Sequence, residues 1–159
     1  MTTKISERLD LSELSSAAYS AMGRLYATAD KAAEEAGVEA AIRYLVQIRA
    51  SQINGCAFCI DMHTIDARKA GETEQRIYAL NAWRESPFFS ERERAALELT
   101  EAVTLVHDGQ VPDDVYERSL KVFGEEQLAH LIWTIVTINS YNRLAIAQRL
   151  VPGNYAPSS

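Results

Sequence analysis

Apolar residues recur at spacings of three and four along most of the chain, a period that predicts helices. Leu14, Ala18, Ala21, Met22, Leu25 and Ala29 mark a long amphipathic helix from Leu11 to about Glu35, in a stretch rich in Ala, Leu, Met and Glu. Gly37 closes it. A second helix, Val38 to Ile53, carries Ala41, Tyr44, Leu45, Ile48 and Gln52 on one stripe and runs straight into Asn54-Gly55. A third is expected from about Cys56 to Ala70, stopped by Gly71, and a short one from Thr73 to about Trp83, before Ser86-Pro87.

Ser90-Glu91-Arg92-Glu93 spells the capping box S-x-x-E, so Ser90 should start the helix that bears Ala95, Leu97, Leu99, Ala102, Val103 and Val106 and ends at His107-Asp108-Gly109. Pro112 suits the first turn of a short helix to about Val122, closed by Phe123-Gly124. The last helix, Glu125 to Leu150, contains HLIWTIVTINSY, apolar on most of its surface, and is expected to be a central buried helix or a subunit interface. The tail holds Pro152, Gly153 and Pro157 and should be irregular. No stretch demands a strand. The expectation is an all-α, compact fold of about six to seven helices in one domain, residues 1–159, with its core at about 40–147.

Composition agrees with that class. At 159 residues, 47% hydrophobic and 24% charged, the chain resembles an ordinary globular domain long enough to bury a core. A formal charge of −6 and the lack of a basic tract argue against a nucleic-acid partner or an anionic membrane surface. The first ten residues lack the apolar region of a secretory signal, and no stretch has the length of a membrane span, so a cytoplasmic location is the default expectation.

That location bears on the chemistry, because thiols are kept reduced there and the two cysteines are then less suited to a structural staple. They lie in Gly55-Cys56-Ala57-Phe58-Cys59-Ile60-Asp61-Met62-His63, with the spacing C-x-x-C-x-x-x-H. On a helix turning about 100° per residue, Cys59 and His63 fall roughly 60° and 20° from Cys56, on one face. If Gly55 starts the helix, both cysteines sit in its first turn, where free N–H groups and the dipole favour a thiolate. Cα atoms three residues apart in a helix are about 5 Å apart, within reach of a disulfide. His63 stands at i+4 from Cys59 and can take its proton, which makes Cys59 the attacking thiolate; Cys56, nearer the helix tip and expected to be more exposed, would resolve the sulfenic acid. A dithiol, thioredoxin-like or lipoyl reductant would restore the pair.

Two other readings of these residues remain open. Cys56, Cys59 and His63 could be three zinc ligands completed by His107 or His130, although the second ligand pair usual in structural zinc sites is absent. The cysteines could also be small buried hydrophobes. His107 reads most simply as a partner of a helix C-terminus, and His130 as a hydrogen-bonded core residue. Trp83, Trp133, Tyr141 and Phe123 read as core or interface aromatics.

Three segments, LVQIRASQINGCAFCIDMHTIDARKAGE, RIYALNAWRESPFFSERERAALELTEAVT and TIVTINSYNRLAIA, resemble the alkyl hydroperoxidase D-like branch of the carboxymuconolactone decarboxylase family over about Ala40 to Ala147. The resemblance implies an all-α fold in symmetric homo-oligomers (dimer, trimer or hexamer), with no metal or organic cofactor. It implies reduction of a small hydroperoxide by a peroxidatic Cys59, a resolving Cys56 and a proton relay through His63. The family's relay glutamate, twelve residues before the first motif cysteine, is replaced here by Tyr44. A phenol is a poor proton reservoir at pH 7, so a weaker relay, or one using Asp61 or water, is expected. Members acting as lactone decarboxylases typically lack the cysteine pair; a thiol-independent reaction on a small organic acid or lactone is the remaining alternative.

Overall fold

The computed structural model describes residues 8–156. Among these there are seven α-helices and no strand: α1 (Leu11–Leu14), α2 (Ser16–Glu35), α3 (Ala40–Asn54), α4 (Ala57–Lys69), α5 (Glu74–Ala79), α6 (Glu91–Thr104) and α7 (Asp113–Gln148). A single 3₁₀ turn, Leu80–Ala82, extends α5. The all-α expectation holds.

Several boundaries follow from local chemistry. The Ser90 hydroxyl accepts from the Glu93 N–H while the Glu93 carboxylate accepts from the Ser90 N–H, the reciprocal capping box spelled in the sequence. The expected first helix is divided at Ser15, whose non-helical backbone (φ −130°, ψ 44°) separates α1 from α2. The two helices expected on either side of Phe123-Gly124 run on as α7, with a kink at Gly124, where φ is 73° and ψ 172°. A residue with a Cβ would be strained there.

The helix at the centre is α3. It packs against α4, α6 and α7, and Ile42, Leu45, Val46, Ile48, Ala50 and Ser51 are buried almost completely. Contact on several sides explains why it is covered nearly all round instead of along the single stripe the sequence suggests. One core layer joins Val38, Ile42 and Val46 to Leu99, Leu128, Leu131 and Ile135; a second joins Leu45 and Ile48 to Leu80, Trp83, Phe89 and Leu97. The kinked α7 covers α2, α3 and α6 with one face and leaves Trp133, Val136 and Ile146 exposed on the other. On α2 only Ala29 and Ala33 are buried. Leu14 and Leu25, which the expected stripe would turn inward, face outward because no element among the described residues lies over them.

A polar network fixes the C-terminal end of α3. Asn54 Nδ2 donates to Asn139 Oδ1 (2.9 Å) and Asn142 Oδ1 (2.8 Å), Asn142 Nδ2 donates to Ser51 Oγ (3.0 Å), and Asn139 Nδ2 donates to Thr104 Oγ1 (3.0 Å). The last turn of α3 is thereby tied to α7 and α6. The chain leaves that turn directly into the cysteine motif.

Candidate functional site

Gly55 ends α3 in the left-handed conformation at φ 71° and caps it, with its N–H bonded to the Gln52 carbonyl and the Cys56 N–H bonded to the Ser51 carbonyl. This corrects the expectation that Gly55 starts the motif helix. Such a cap favours glycine because a Cβ would clash in that conformation, and it turns the chain sharply enough for α4 to begin two residues later. Cys56 is the N-cap of α4, its Sγ accepting from the Cys59 N–H at 3.3 Å. Cys59 therefore lies in the first turn, among N–H groups that stabilise an anion.

Cys56 and Cys59 are joined by a disulfide, with Cα atoms 5.4 Å apart. They share a small cluster with Ala50, Ile138 and Ala145, flanked by Phe58 and Leu150. Cys56 is 1% exposed and Cys59 2%. The expectation of a more exposed Cys56 is thus overturned: the N-cap position points its sulfur under α7 and the C-terminal segment, not toward solvent.

One turn on, His63 is 2% exposed and neither ring nitrogen has a hydrogen-bond partner among the described residues. Burial pushes its pKa down to about 4, so at pH 7 the ring is neutral. Two unpaired buried ring nitrogens are costly unless something polar meets them. They border a cavity of about 390 Å³ whose walls are Tyr19 and Tyr26 of α2, Phe58, Cys59 and Met62 of α4, Tyr141, Leu144 and Ala145 of α7, and Leu150 and Tyr155 beyond it. Cys59 opens onto this space; Cys56 is not among its lining residues.

Three phenols around the cavity, those of Tyr26, Tyr141 and Tyr155, are held neutral. Tyr26 accepts a hydrogen bond from Gln47 Nε2 (2.8 Å), and burial, then the charge of Asp30, pushes its pKa well up. Burial likewise raises Tyr141, whose ring meets that of Tyr26 edge to face at 5.5 Å. Tyr155 is pushed up to about 12 by burial and by Asp66, to which its hydroxyl donates at 2.9 and 3.0 Å.

Beyond α7, Arg149 takes a left-handed turn (φ 57°) and the chain folds back over α4 as a strap. Leu150 packs on the sulfur cluster, the Gly153 N–H donates to Asp61 Oδ2 (2.8 Å), and Tyr155 reaches Asp66. Both acceptors lie on the helix that carries Cys59 and His63.

Of the residues the sequence singles out, Cys56, Cys59 and His63 are brought together. Tyr44 is half-buried on α3 against the second core layer and does not line the cavity. Burial, then the charges of Asp66 and Asp30, raise its pKa. Asp61 is engaged by the strap. His107 is exposed in the turn after α6 and His130 lies on α7. Among the described residues, no three His, Cys, Asp or Glu side chains are grouped to hold a metal ion. The tyrosine walls escaped the sequence reading. Tyr19 and Tyr26, seven residues apart on one helix, carried a usable signal, since that spacing puts them on one face; Tyr155, in an irregular tail, carried none.

A profile of the carboxymuconolactone decarboxylase family matches residues 18–102. The chain is 51% identical over 129 residues to YdfG of Bacillus subtilis, an uncharacterized protein, covering 81% of this chain and 85% of that one. A crystal structure from Agrobacterium tumefaciens, of a protein of unknown function for which the antioxidant defence protein AhpD is the suggested identity, superposes with a TM-score of 0.85 at 35% identity, covering 94% of this chain and 100% of that one. The debrominase Bmp8 shares the fold at 19% identity and a TM-score of 0.73, over 84% of this chain and 70% of that one.

Proposed function

The chain belongs to the carboxymuconolactone decarboxylase family as an AhpD-like member, and from that premise we propose that it is a thiol-dependent alkyl hydroperoxide reductase with a peroxidatic Cys59 and a resolving Cys56. The observation that carries this reading is the asymmetry of the pair. Cys59 and the unpartnered His63 face one cavity, while Cys56 lies behind it at bonding distance from Cys59.

In the first step the Cys59 sulfur attacks the terminal peroxide oxygen and the O–O bond breaks. Cys59 becomes a sulfenic acid, and the thiol proton ends on the departing alkoxide to give an alcohol. His63 is placed to move that proton. Its depressed pKa makes it a poor store of charge while the neighbouring sulfur is neutral, but a thiolate one helical turn away favours the imidazolium. In the second step the Cys56 thiol attacks the sulfenic sulfur, water leaves, and the disulfide forms. A dithiol reductant, thioredoxin-like or lipoyl, then returns both thiols by exchange and is itself oxidised to a disulfide. Tyr44 stands at the family's relay position, where a phenol with a raised pKa holds its proton at neutral pH and does not act as the proton reservoir that a carboxylate would be.

The test is a thiol titration before and after one equivalent of cumene hydroperoxide. Wild type should lose two thiols per chain and form the internal disulfide, Cys56→Ser should stop at a trappable sulfenic acid, and Cys59→Ser should be inert. Wild-type thiols that stay unreacted over many minutes would end the peroxidase reading.

A further inference from the structure

We propose that the cavity over Cys59 is a site for uncharged, ring-bearing organic hydroperoxides and rejects their carboxylated counterparts. This rests on the peroxidase reading for the identity of the reacting group, but the selectivity follows from the walls alone. At about 390 Å³ the space lies in the range that encloses a small organic molecule. Among the described residues, no Lys, Arg, Asp or Glu side chain lines it. His63, the one basic group among the described residues at its wall, is neutral at pH 7, and the phenols of Tyr26, Tyr141 and Tyr155 are held protonated by burial.

An anion entering such a space sheds water and meets no cation in return, which is unfavourable even with phenol donors nearby. Asp66 adds to the exclusion. Its carboxylate sits directly behind the Tyr155 hydroxyl and presents negative charge to whatever the cavity holds. A neutral aryl group is suited to the same walls. Tyr26 and Tyr141 already meet at 86° and 5.5 Å, the edge-to-face arrangement that a third ring can extend, and Met62 supplies a polarisable sulfur beside it. Hydrogen peroxide would leave those apolar walls unfilled.

The inference can be tested without turnover by using alcohols, which no thiol attacks. Methyl-13C-methionine labelling gives a reporter in place, since Met62 lines the cavity and Met22 does not. The disulfide form of the whole chain is titrated with 2-phenyl-2-propanol, with its para-carboxylate, with the methyl ester of that carboxylate, and with tert-butanol. The Met62 methyl signal should shift with the first compound and with the ester at similar concentrations, and should need at least tenfold more of the carboxylate or of the ringless alcohol. A carboxylate that binds as tightly as its ester, or a Met62 signal that responds to none of the four, overturns the inference. Its failure is separable from that of the peroxidase reading. Selective shifts at Met62 in a protein whose Cys59 ignores cumene hydroperoxide leave the site standing and remove the reaction; fast reaction at Cys59 without selectivity at Met62 does the reverse.

Discussion

The hydroxyl of Tyr155 donates to the carboxylate of Asp66, three residues beyond His63 on the same helix. With the Gly153 N–H on Asp61, it closes the C-terminal strap over a disulfide whose sulfurs have almost no contact with solvent. In the proposed cycle a dithiol must align with the S–S axis, and both cysteines are buried with Leu150 of the strap packed on their cluster. Reduction of the disulfide in that proposed cycle therefore requires the strap to lift.

Tyr155→Phe removes one of the two latches and keeps the ring. A net hydrogen bond of about 1 kcal/mol corresponds to roughly a fivefold shift in the open population. The disulfide of Tyr155→Phe, and equally that of Asp66→Asn, should be reduced by dithiothreitol about fivefold faster than wild type, read as free thiol against time. Ending the chain after Leu150 should accelerate it further. Equal rates in all three would mean that the strap does not control access.

His63 should mark the pH dependence of stability. In the unfolded chain its pKa is near 6.5, and in the fold burial lowers it to about 4. Between these values the unfolded chain binds a proton that the folded one does not, so this group's contribution to stability is full above about 6.5, falls as pH drops, and is lost at about 4. The groups facing the ring across the cavity are Cys59 on its own helix, Tyr19 and Tyr26 on α2, Tyr141 on α7 and Tyr155 on the strap; none is a carboxylate that would offset the trend. Urea unfolding of the disulfide form should show roughly 3 kcal/mol less stability from this group at pH 4 than at pH 7. His63→Gln should flatten that slope.

Tyr44→Glu should raise peroxide turnover severalfold. A carboxylate at this position would share its surroundings with Asp66 and Asp30, whose charges already act on the phenol, and like charges raise a carboxyl pKa toward the range useful for proton transfer. Tyr44→Phe should leave the rate within about twofold. Steady-state rates with cumene hydroperoxide and excess dithiol decide it, and a rise of less than twofold in Tyr44→Glu would place the limiting step outside this relay.

Helix content was legible because it rests on local rules: the capping box at Ser90, the breaks at Gly37 and Gly71, and the three-and-four spacing of Leu45 and Ile48. Cys56, Cys59 and His63 were legible as a group for the same reason, since one helical turn places them together. What depends on tertiary neighbours was not. Cys56 looked exposed from its place at a helix tip and is buried because the strap and α7 arrive from far along the chain. Tyr155 reaches the cavity through a left-handed turn at Arg149 that no periodicity announces. Leu25 and Leu14 obey an amphipathic pattern, yet no element among the described residues covers them. Periodicity reports that a face is apolar, not what lies over it.

Asn142 should couple the stability of the fold to the order of the cysteine motif. Its side chain is fully buried, donates to Ser51 Oγ and accepts from Asn54 Nδ2, and so holds the last turn of α3 from which Cys56 departs. Asn142→Leu keeps the branched shape and the number of heavy atoms and removes both bonds, leaving the Ser51 hydroxyl without its donor and taking one of two acceptors from Asn54. Losing partners for buried polar groups costs about 1 to 3 kcal/mol, which in a domain of this size lowers the melting temperature by roughly 3 to 10 °C. Since the α3 end is what aims Cys56 at Cys59, the same change should slow disulfide closure after oxidation, with sulfenic acid accumulating in Asn142→Leu that wild type does not show. A destabilised variant that still closes its disulfide at the wild-type rate would show that the turn at Gly55 orients the cysteines unaided.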